Sequence, residues 1–87
     1  MEILFQLMVE ADHEDGGYVA TTPTLPGVVG QGETPDDAAR DLAAALQFTL
    51  DDMKENGEPL PESDERARDL PRLDEEAPHA YRTAMVV

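Results

Sequence analysis

Residues 34–57 read TPDDAARDLAAALQFTLDDMKENG, and this stretch decides the fold. Thr34 predicts a helix N-cap, Pro35 suits the first helical position, and the acidic first turn that follows complements the positive end of the helix dipole. Gly57 predicts the end of the helix. At about 100° per residue the apolar side chains share one broad face. That face comprises Ala38, Ala39, Leu42, Ala43, Ala45, Leu46, Thr49, Leu50 and Met53.

Phe48 departs from this pattern, because it projects from the polar side of the predicted helix. Its neighbours on that side are Ala44, Asp41 and Asp52. Two interpretations stay open at this point. Either the chain after the helix folds back over the ring, or the ring is exposed and marks a contact with a subunit or partner.

The residues before the helix predict β-strands. Residues 2–10 alternate with a period of two, which is typical of a strand, and both of its faces carry apolar side chains. A turn with two adjacent glycines follows at 12–17, and residues 18–22 predict the returning strand. One face of the first strand carries Ile3, Phe5, Leu7 and Val9, and the other carries Leu4 and Met8.

A proline-rich corner at 23–27 leads into a short third strand at 28–31, which ends at Gly32. Gly27 can take the positive φ that a turn led by a proline often requires. The acidic residues 58–79 contain four prolines and predict a loop that can include one helical turn around 62–69.

Residues 80–87 alternate again and predict a fourth strand beside the first. The predicted order is therefore β-β-β-α-β, a single α+β domain over 1–87, in which the first three strands form an antiparallel meander. One helix covers only one face of such a sheet. The face bearing Leu4 and Met8 then needs a second subunit or a partner, so we expect a dimer or higher oligomer.

The strong negative charge of the chain limits the kinds of partner that it can bind. The chain has 20 acidic and 6 basic residues, a formal net charge of −14, and no cysteine. Such a surface repels nucleic-acid phosphates, so direct binding of DNA or RNA by this chain alone is not expected. The acidity indicates either a basic partner or adaptation to a salt-rich cytoplasm. No apolar run reaches the length of a membrane span and the N-terminus lacks a basic leader, so a cytoplasmic protein without membrane contact is expected.

Catalytic residues are not predicted. His13 and His79 lack the spacing of paired metal ligands, and Ser63 has no glycine elbow around it. No metal, no cofactor and no enzymatic reaction are therefore expected.

The series of short motifs along the chain resembles the N-terminal domain of the HicB antitoxins. The resemblance covers about residues 3–61. It departs from the family at Thr24, where aspartate is often found, and at Val28, where a small or sulfur-bearing residue is common. The residues that carry it are Gly17, Tyr18, Pro23, Leu25, Pro26, Gly27, Gly32, Thr34, Asp37, Ala38, Ala45, Gly57, Glu58, Pro59, Leu60 and Pro61.

This resemblance implies a truncated ribonuclease H-like fold without catalysis, and no acidic side chain lies within Ile3–Val9 or Ala80–Val87 to hold a catalytic metal. It also implies a partner of the HicA type, a small basic RNA-cleaving toxin whose active site the antitoxin masks. Many family members add a DNA-binding module, and none follows the fourth strand in this sequence. A stand-alone HicB-like oligomeric binding domain with no toxin is therefore the alternative. Most of the motif residues are expected to shape the corner or to pack the helix. Leu4, Met8 and Phe48 are the candidate interface residues.

Overall fold

The computed structural model describes residues 1–73 and 80–87 of the chain. In these two ranges the elements follow the predicted order, with one short 3₁₀ helix inserted before the last strand. The elements are β1 (Glu2–Ala11), β2 (Tyr18–Thr21), β3 (Val29–Gly32), α1 (Pro35–Glu55), the 3₁₀ helix (Glu65–Asp69) and β4 (Ala80–Val86).

The strands form one antiparallel sheet in the order β3-β2-β1-β4. The prediction of an α+β fold with the last strand beside the first is confirmed. Strand β1 is central, and it pairs with β4 along its first seven residues and with β2 only near its C-terminal end. The first half of β1 therefore has no strand partner on its β2 side.

Helix α1 packs on one face of the sheet, which we call the inner face. The period-two alternation of β1 sends Ile3, Phe5 and Leu7 to this face, where each is at most 2% exposed. Leu46 and Leu50 of the helix meet them and are completely buried. The core is therefore one layer between a single helix and one face of the sheet, as the two periodicities predict.

Both ends of α1 follow the sequence signals. The Thr34 hydroxyl accepts a hydrogen bond of 3.1 Å from the Asp37 backbone N–H, which satisfies one of the unpaired donors of the first turn. At the other end Gly57 has a φ of +71°, and the Glu58 N–H donates to the Met53 carbonyl at 2.9 Å. This is the Schellman arrangement that the glycine predicts.

Strand β3 lies so close to α1 that its inward position has no room for a side chain. A Cβ placed on Gly30 would lie 2.4 Å from the Leu42 backbone nitrogen and 2.5 Å from the Ala38 carbonyl oxygen. A Cβ on Gly32 would lie 2.5 Å from the Asp37 Cβ. These two glycines therefore set the distance between helix and sheet.

The structure refines two details of the corner. Gly27 does not have a positive φ, because the turn from Leu25 to Val28 closes with a 3.0 Å hydrogen bond while keeping both central residues at negative φ. The third strand is also displaced by one residue, from 28–31 to Val29–Gly32.

The chain after α1 does not run as a simple loop. Residues 58–73, here called the crossing segment, pass over the face of the sheet opposite the helix, which we call the outer face. The Asp64 N–H donates to the Leu4 carbonyl at 2.8 Å and the Leu4 N–H donates to the Ser63 hydroxyl at 2.9 Å, along the part of β1 that β2 leaves open. The 3₁₀ helix then contacts β1 and β4. The predicted loop with one helical turn is confirmed for 58–73, where that turn is the 3₁₀ helix. Its attachment to the outer face was not predicted, and residues 74–79 lie outside the described residues.

The crossing segment ends at the far edge of β4. There the Arg82 N–H donates to the Pro71 carbonyl at 2.7 Å, and the Leu73 N–H donates to the Arg82 carbonyl at 3.1 Å. The segment therefore connects the two edges of the β1–β4 pair and covers part of the outer face. The expectation that this whole face needs a second subunit or a partner is therefore corrected, because the chain itself covers part of it.

Candidate interaction surfaces

The solvent-facing side of α1 carries an aromatic side chain within an acidic stripe. Phe48 is 77% exposed, and no described residue covers it. The interpretation that the chain after the helix folds over this ring is therefore wrong for the described residues, because that chain crosses the outer face instead. Residues at i±3, i±4 and i±7 share a helix side with Phe48. At i±4 and i±7 these neighbours are Asp41, Ala44, Asp52 and Glu55, and all four are exposed. We call them, together with Phe48, the helix stripe.

The carboxylates of this helix stripe are largely unneutralised. In residues 1–73 and 80–87 three ion pairs form, and they involve Asp36, Asp64 and Glu65. None of these three belongs to the stripe. Asp41 accepts a 2.9 Å hydrogen bond from the Gln31 backbone N–H, which leaves its charge in place. The stripe therefore combines a large exposed apolar group with net negative charge, an arrangement suited to a basic partner.

The outer face of the sheet is divided into a covered and an open part. Leu4 is half-buried under the crossing segment, whereas Met8 is 40% exposed. The register aligns Met8 with Thr21 and Thr21 with Val29, and Val29 is 45% exposed. Half-buried Val19 lies on the same face. We call Met8, Val19 and Val29 the open patch, which is where an apolar contact with another molecule remains available.

Asp64 holds the crossing segment against the outer face. Its side chain is only 5% exposed, and it accepts hydrogen bonds from the Arg66 guanidinium at 3.0 and 3.1 Å and from the Gln6 amide at 3.3 Å. It also accepts from the Arg66 backbone N–H at 3.1 Å and so caps the 3₁₀ helix. The Arg66 hydrogen bond holds the pKa of Asp64 below its usual value, although burial acts in the opposite direction.

Neither Asp64 nor the crossing segment is among the candidate residues predicted from the sequence. A local signal was present, because an aspartate two residues before an arginine at the start of a short helix is a capping pattern. Its partner Gln6 is 58 residues away in the chain, so no local pattern connects the two.

Some motif residues of the corner and the helix lie at close contacts within the fold. A Cβ on Gly17, which has a φ of +73°, would lie 2.7 Å from the Gly32 carbonyl oxygen, so the hairpin and the end of β3 approach closely there. Ala38 is buried in the core. Tyr18, Leu25 and Leu60 are partly buried and pack against that core. The remaining motif positions (Pro23, Pro26, Gly27, Ala45, Gly57, Glu58, Pro59 and Pro61) are half-buried or exposed.

The residues considered as catalytic or metal-ligating candidates have other positions in the described part of the chain. Ser63 uses its hydroxyl to accept a hydrogen bond from Leu4, and His13 is exposed in the β1–β2 turn. Within residues 1–73 and 80–87 no three histidine or carboxylate side chains cluster as metal ligands do. His79 lies outside the described residues. None of the described helices is both long enough and apolar enough to span a membrane.

Comparison with known proteins identifies the relatives of this chain. It is 44% identical over 43 residues to a UPF0150 protein of Synechocystis, a match that covers 49% of this chain and 60% of the relative. It is 35% identical over 48 residues to a UPF0150 protein of Thermoplasma acidophilum, covering 55% of this chain and 70% of that one. The chain belongs to the HicB-like UPF0150 family. No model of a known protein family matches the sequence.

A solved structure extends this HicB-like relationship to the whole fold. The crystal structure of the N-terminal domain of the Burkholderia pseudomallei antitoxin HicB superimposes with a TM-score of 0.65 at 27% identity. The superposition covers 98% of both chains, so it includes the crossing segment and β4 as well as the motif region. By contrast, the sequence match to the Synechocystis relative spans 60% of that protein's length.

Proposed function

We propose that this HicB-like chain is an antitoxin that neutralises a basic, RNA-cleaving toxin of the HicA type by binding it. The observation that carries the proposal is the likeness to a HicB antitoxin domain over 98% of both chains. In this proposal the chain acts by covering the toxin and not by catalysis. It would work where the toxin meets RNA, in the cytoplasm. The motif residues would serve the scaffold, and the whole of 1–87 would act as one domain.

The helix stripe around Phe48 is the part of the surface that we assign to the toxin. An exposed aromatic ring can enter a pocket on the partner, and interface aromatics supply much of the binding free energy. The surrounding carboxylates attract a basic protein and speed its association, an effect that added salt weakens. Phe48 is the most exposed of the chain's large apolar side chains in the described residues.

The open patch is the part that we assign to self-association. Met8 and Val29 lie on the sheet face that α1 does not cover, and the crossing segment leaves them accessible. A dimer or larger assembly would bury them. Leu4, which sequence analysis grouped with Met8, contributes less because the crossing segment already shields it.

Co-expression with a HicA-like protein encoded beside this chain tests the proposal. Wild type should suppress the toxin's RNA cleavage and elute with it as a complex. Phe48→Ser should weaken complex formation at least about tenfold, as expected when an interface aromatic is removed. Met8→Ser is the matched control on the other surface, and it should lower the oligomer mass while leaving toxin binding within about twofold.

Two outcomes would contradict this assignment. If the toxin stays active and no complex elutes, the chain is instead the stand-alone HicB-like binding domain. If Phe48→Ser binds toxin as wild type does while Met8→Ser does not, the toxin docks on the sheet and not on the helix.

A further inference from the structure

The few basic residues of this acidic chain are concentrated at one place. Of the 6 lysine and arginine residues, four line a single cavity of about 570 Å³. These four are Arg40, Arg68, Arg72 and Arg82, and the cavity lies at the outer edge of β4. One carboxylate, Glu2, and the apolar side chains of Leu4 and Leu73 share its lining.

The fold, not the sequence order, brings these arginines together. Arg40 comes from α1, Arg82 from β4, and the other two come from the crossing segment. The Arg82 guanidinium donates a 2.7 Å hydrogen bond to the Arg68 carbonyl, which ties the crossing segment to the strand. The backbone bridge between Arg72 and Arg82 places these two residues side by side.

The local ion pairs leave donors available in the cavity. Arg40 pairs with Asp36 and Arg68 pairs with Glu65. The Arg72 side chain makes no hydrogen bond or ion pair with any residue in 1–73 or 80–87. The Arg82 side chain uses one donor in the bond to the Arg68 carbonyl, whereas a guanidinium has five.

The edge of β4 adds a backbone donor. Because the Leu4 N–H and carbonyl bond to Ser63 and Asp64, the pair Leu4–Ala84 exchanges no hydrogen bonds across the sheet. The Ala84 N–H therefore points away from β1, toward the outer edge where the cavity lies. Peptide N–H groups are common ligands of oxyanions.

We propose that this cavity binds a small oxyanion carrying two or more phosphate or carboxylate groups. Besides Glu2 in the lining, the Asp36 and Glu65 carboxylates neutralise Arg40 and Arg68. The site therefore keeps a small local positive charge, carried by Arg72 and Arg82, on a chain whose formal net charge is −14. Like charges gathered in this way repel one another, and a bound polyanion relieves that repulsion through bidentate hydrogen bonds. The volume falls within the roughly 300–1,000 Å³ of small-molecule sites. The Leu4 and Leu73 walls suit the carbon skeleton of an organic anion. This site is separate from the surfaces assigned to the toxin and to self-association.

Calorimetric titration of the full chain with pyrophosphate and with citrate, at low ionic strength, tests the proposal. Wild type should bind at least one of them with a 1:1 stoichiometry, and the tighter of the two identifies the preferred group. Arg72→Gln should weaken binding by about 10-fold or more, the size expected for a lost charged hydrogen bond. Lys54→Gln removes the same charge about 21 Å along the helix from Arg40, by the helix rise, and should change affinity less than twofold.

Glu2→Gln gives a result of opposite sign, because it removes the one carboxylate of the lining and should tighten binding severalfold. The proposal is overturned if wild type binds neither anion, or if Arg72→Gln and Lys54→Gln weaken binding equally, which would show only the effect of net charge. It also fails if binding appears only after Asp74, Glu75 and Glu76 are neutralised. These residues lie outside the described residues, and that result would assign the arginines to carboxylates of the chain itself.

Discussion

The two faces of the sheet are built by different kinds of interaction. On the inner face, leucines and alanines of α1 meet the alternate side chains of β1 in a continuous buried layer, and the helix backbone touches β3 at Gly30. On the outer face, the crossing segment is attached by polar bonds from Asp64, Ser63 and Arg82, and the open patch is left beside it. The inner face is held together by close packing of apolar side chains, whereas the crossing segment is held to the outer face by a small number of polar contacts.

This difference teaches where stability and where binding are located. Burial of apolar area contributes most of the folding free energy, and tight packing makes each inner side chain hard to change. Polar attachments contribute less each, because folding exchanges them for bonds to water. We therefore expect the inner face to carry the stability of the chain and the exposed surfaces to change with little cost.

The largest contrast is expected between two residues of the same helix. Leu46→Ala should destabilise the chain by about 3 kcal/mol, because it opens a cavity in the completely buried layer. Phe48→Ala should change the free energy of unfolding by less than about 0.5 kcal/mol, because its ring is 77% exposed. Urea denaturation of both variants measures this, and equal losses would show that Phe48 is covered in solution.

The contact between β3 and α1 should be nearly as sensitive. Gly30→Ala places a Cβ 2.4 Å from the Leu42 nitrogen, so the helix must move, at a cost of about 2–3 kcal/mol. Gly27→Ala is the matched control, since a Cβ there meets nothing within 4 Å and φ is not positive. Thermal unfolding compares the two. If Gly30→Ala leaves the melting temperature unchanged, the added Cβ has room, and β3 does not approach the α1 backbone as closely as described.

Asp64→Asn tests the attachment on the outer face and should cost about 2 kcal/mol at neutral pH through its lost charged hydrogen bonds. Because folding lowers the pKa of Asp64, its stabilising effect is complete above the unfolded pKa of about 3.9 and is lost as the pH falls through the lower folded value. The difference between wild type and variant should therefore shrink below about pH 4. Asp69→Asn, in the same 3₁₀ helix and exposed, is the control. Urea melts from pH 3 to 7 measure the difference, and a pH-independent gap would contradict a charged Asp64.

The smallest effect, of opposite sign, is expected at Thr22. Its hydroxyl is buried, and within residues 1–73 and 80–87 it has no hydrogen-bond partner. Thr22→Val keeps the shape and removes the unpaired group, so it should be neutral or stabilise by up to about 1 kcal/mol. Thr21→Val, on the opposite face and half-buried, is the comparison. A loss of more than about 1 kcal/mol at Thr22 would indicate an ordered water on the hydroxyl.

The candidate surfaces were only partly predictable. Phe48 could be singled out from the sequence because it breaks a helical period, and the structure places it in solvent. Met8 and Leu4 share a face by the period of a strand, but one is 40% exposed and the other lies under the crossing segment. The exposure of a side chain on this face depends on whether the crossing segment covers it. The alternation of side chains along a strand does not predict that coverage.

The sequence by itself determined the helix with both of its ends, the strands, and the face of β1 that enters the core. These features depend on periods of 3.6 and 2 and on capping residues, all of which act over a few neighbouring positions. Only the tertiary structure decided the path of residues 58–73, the division of the outer face, and the meeting of four arginines at the edge of β4. Those features depend on bonds such as Leu4 to Ser63, which join residues 59 positions apart. Contacts between residues so far apart in the chain leave no periodic pattern in the sequence, so they could not be predicted from it.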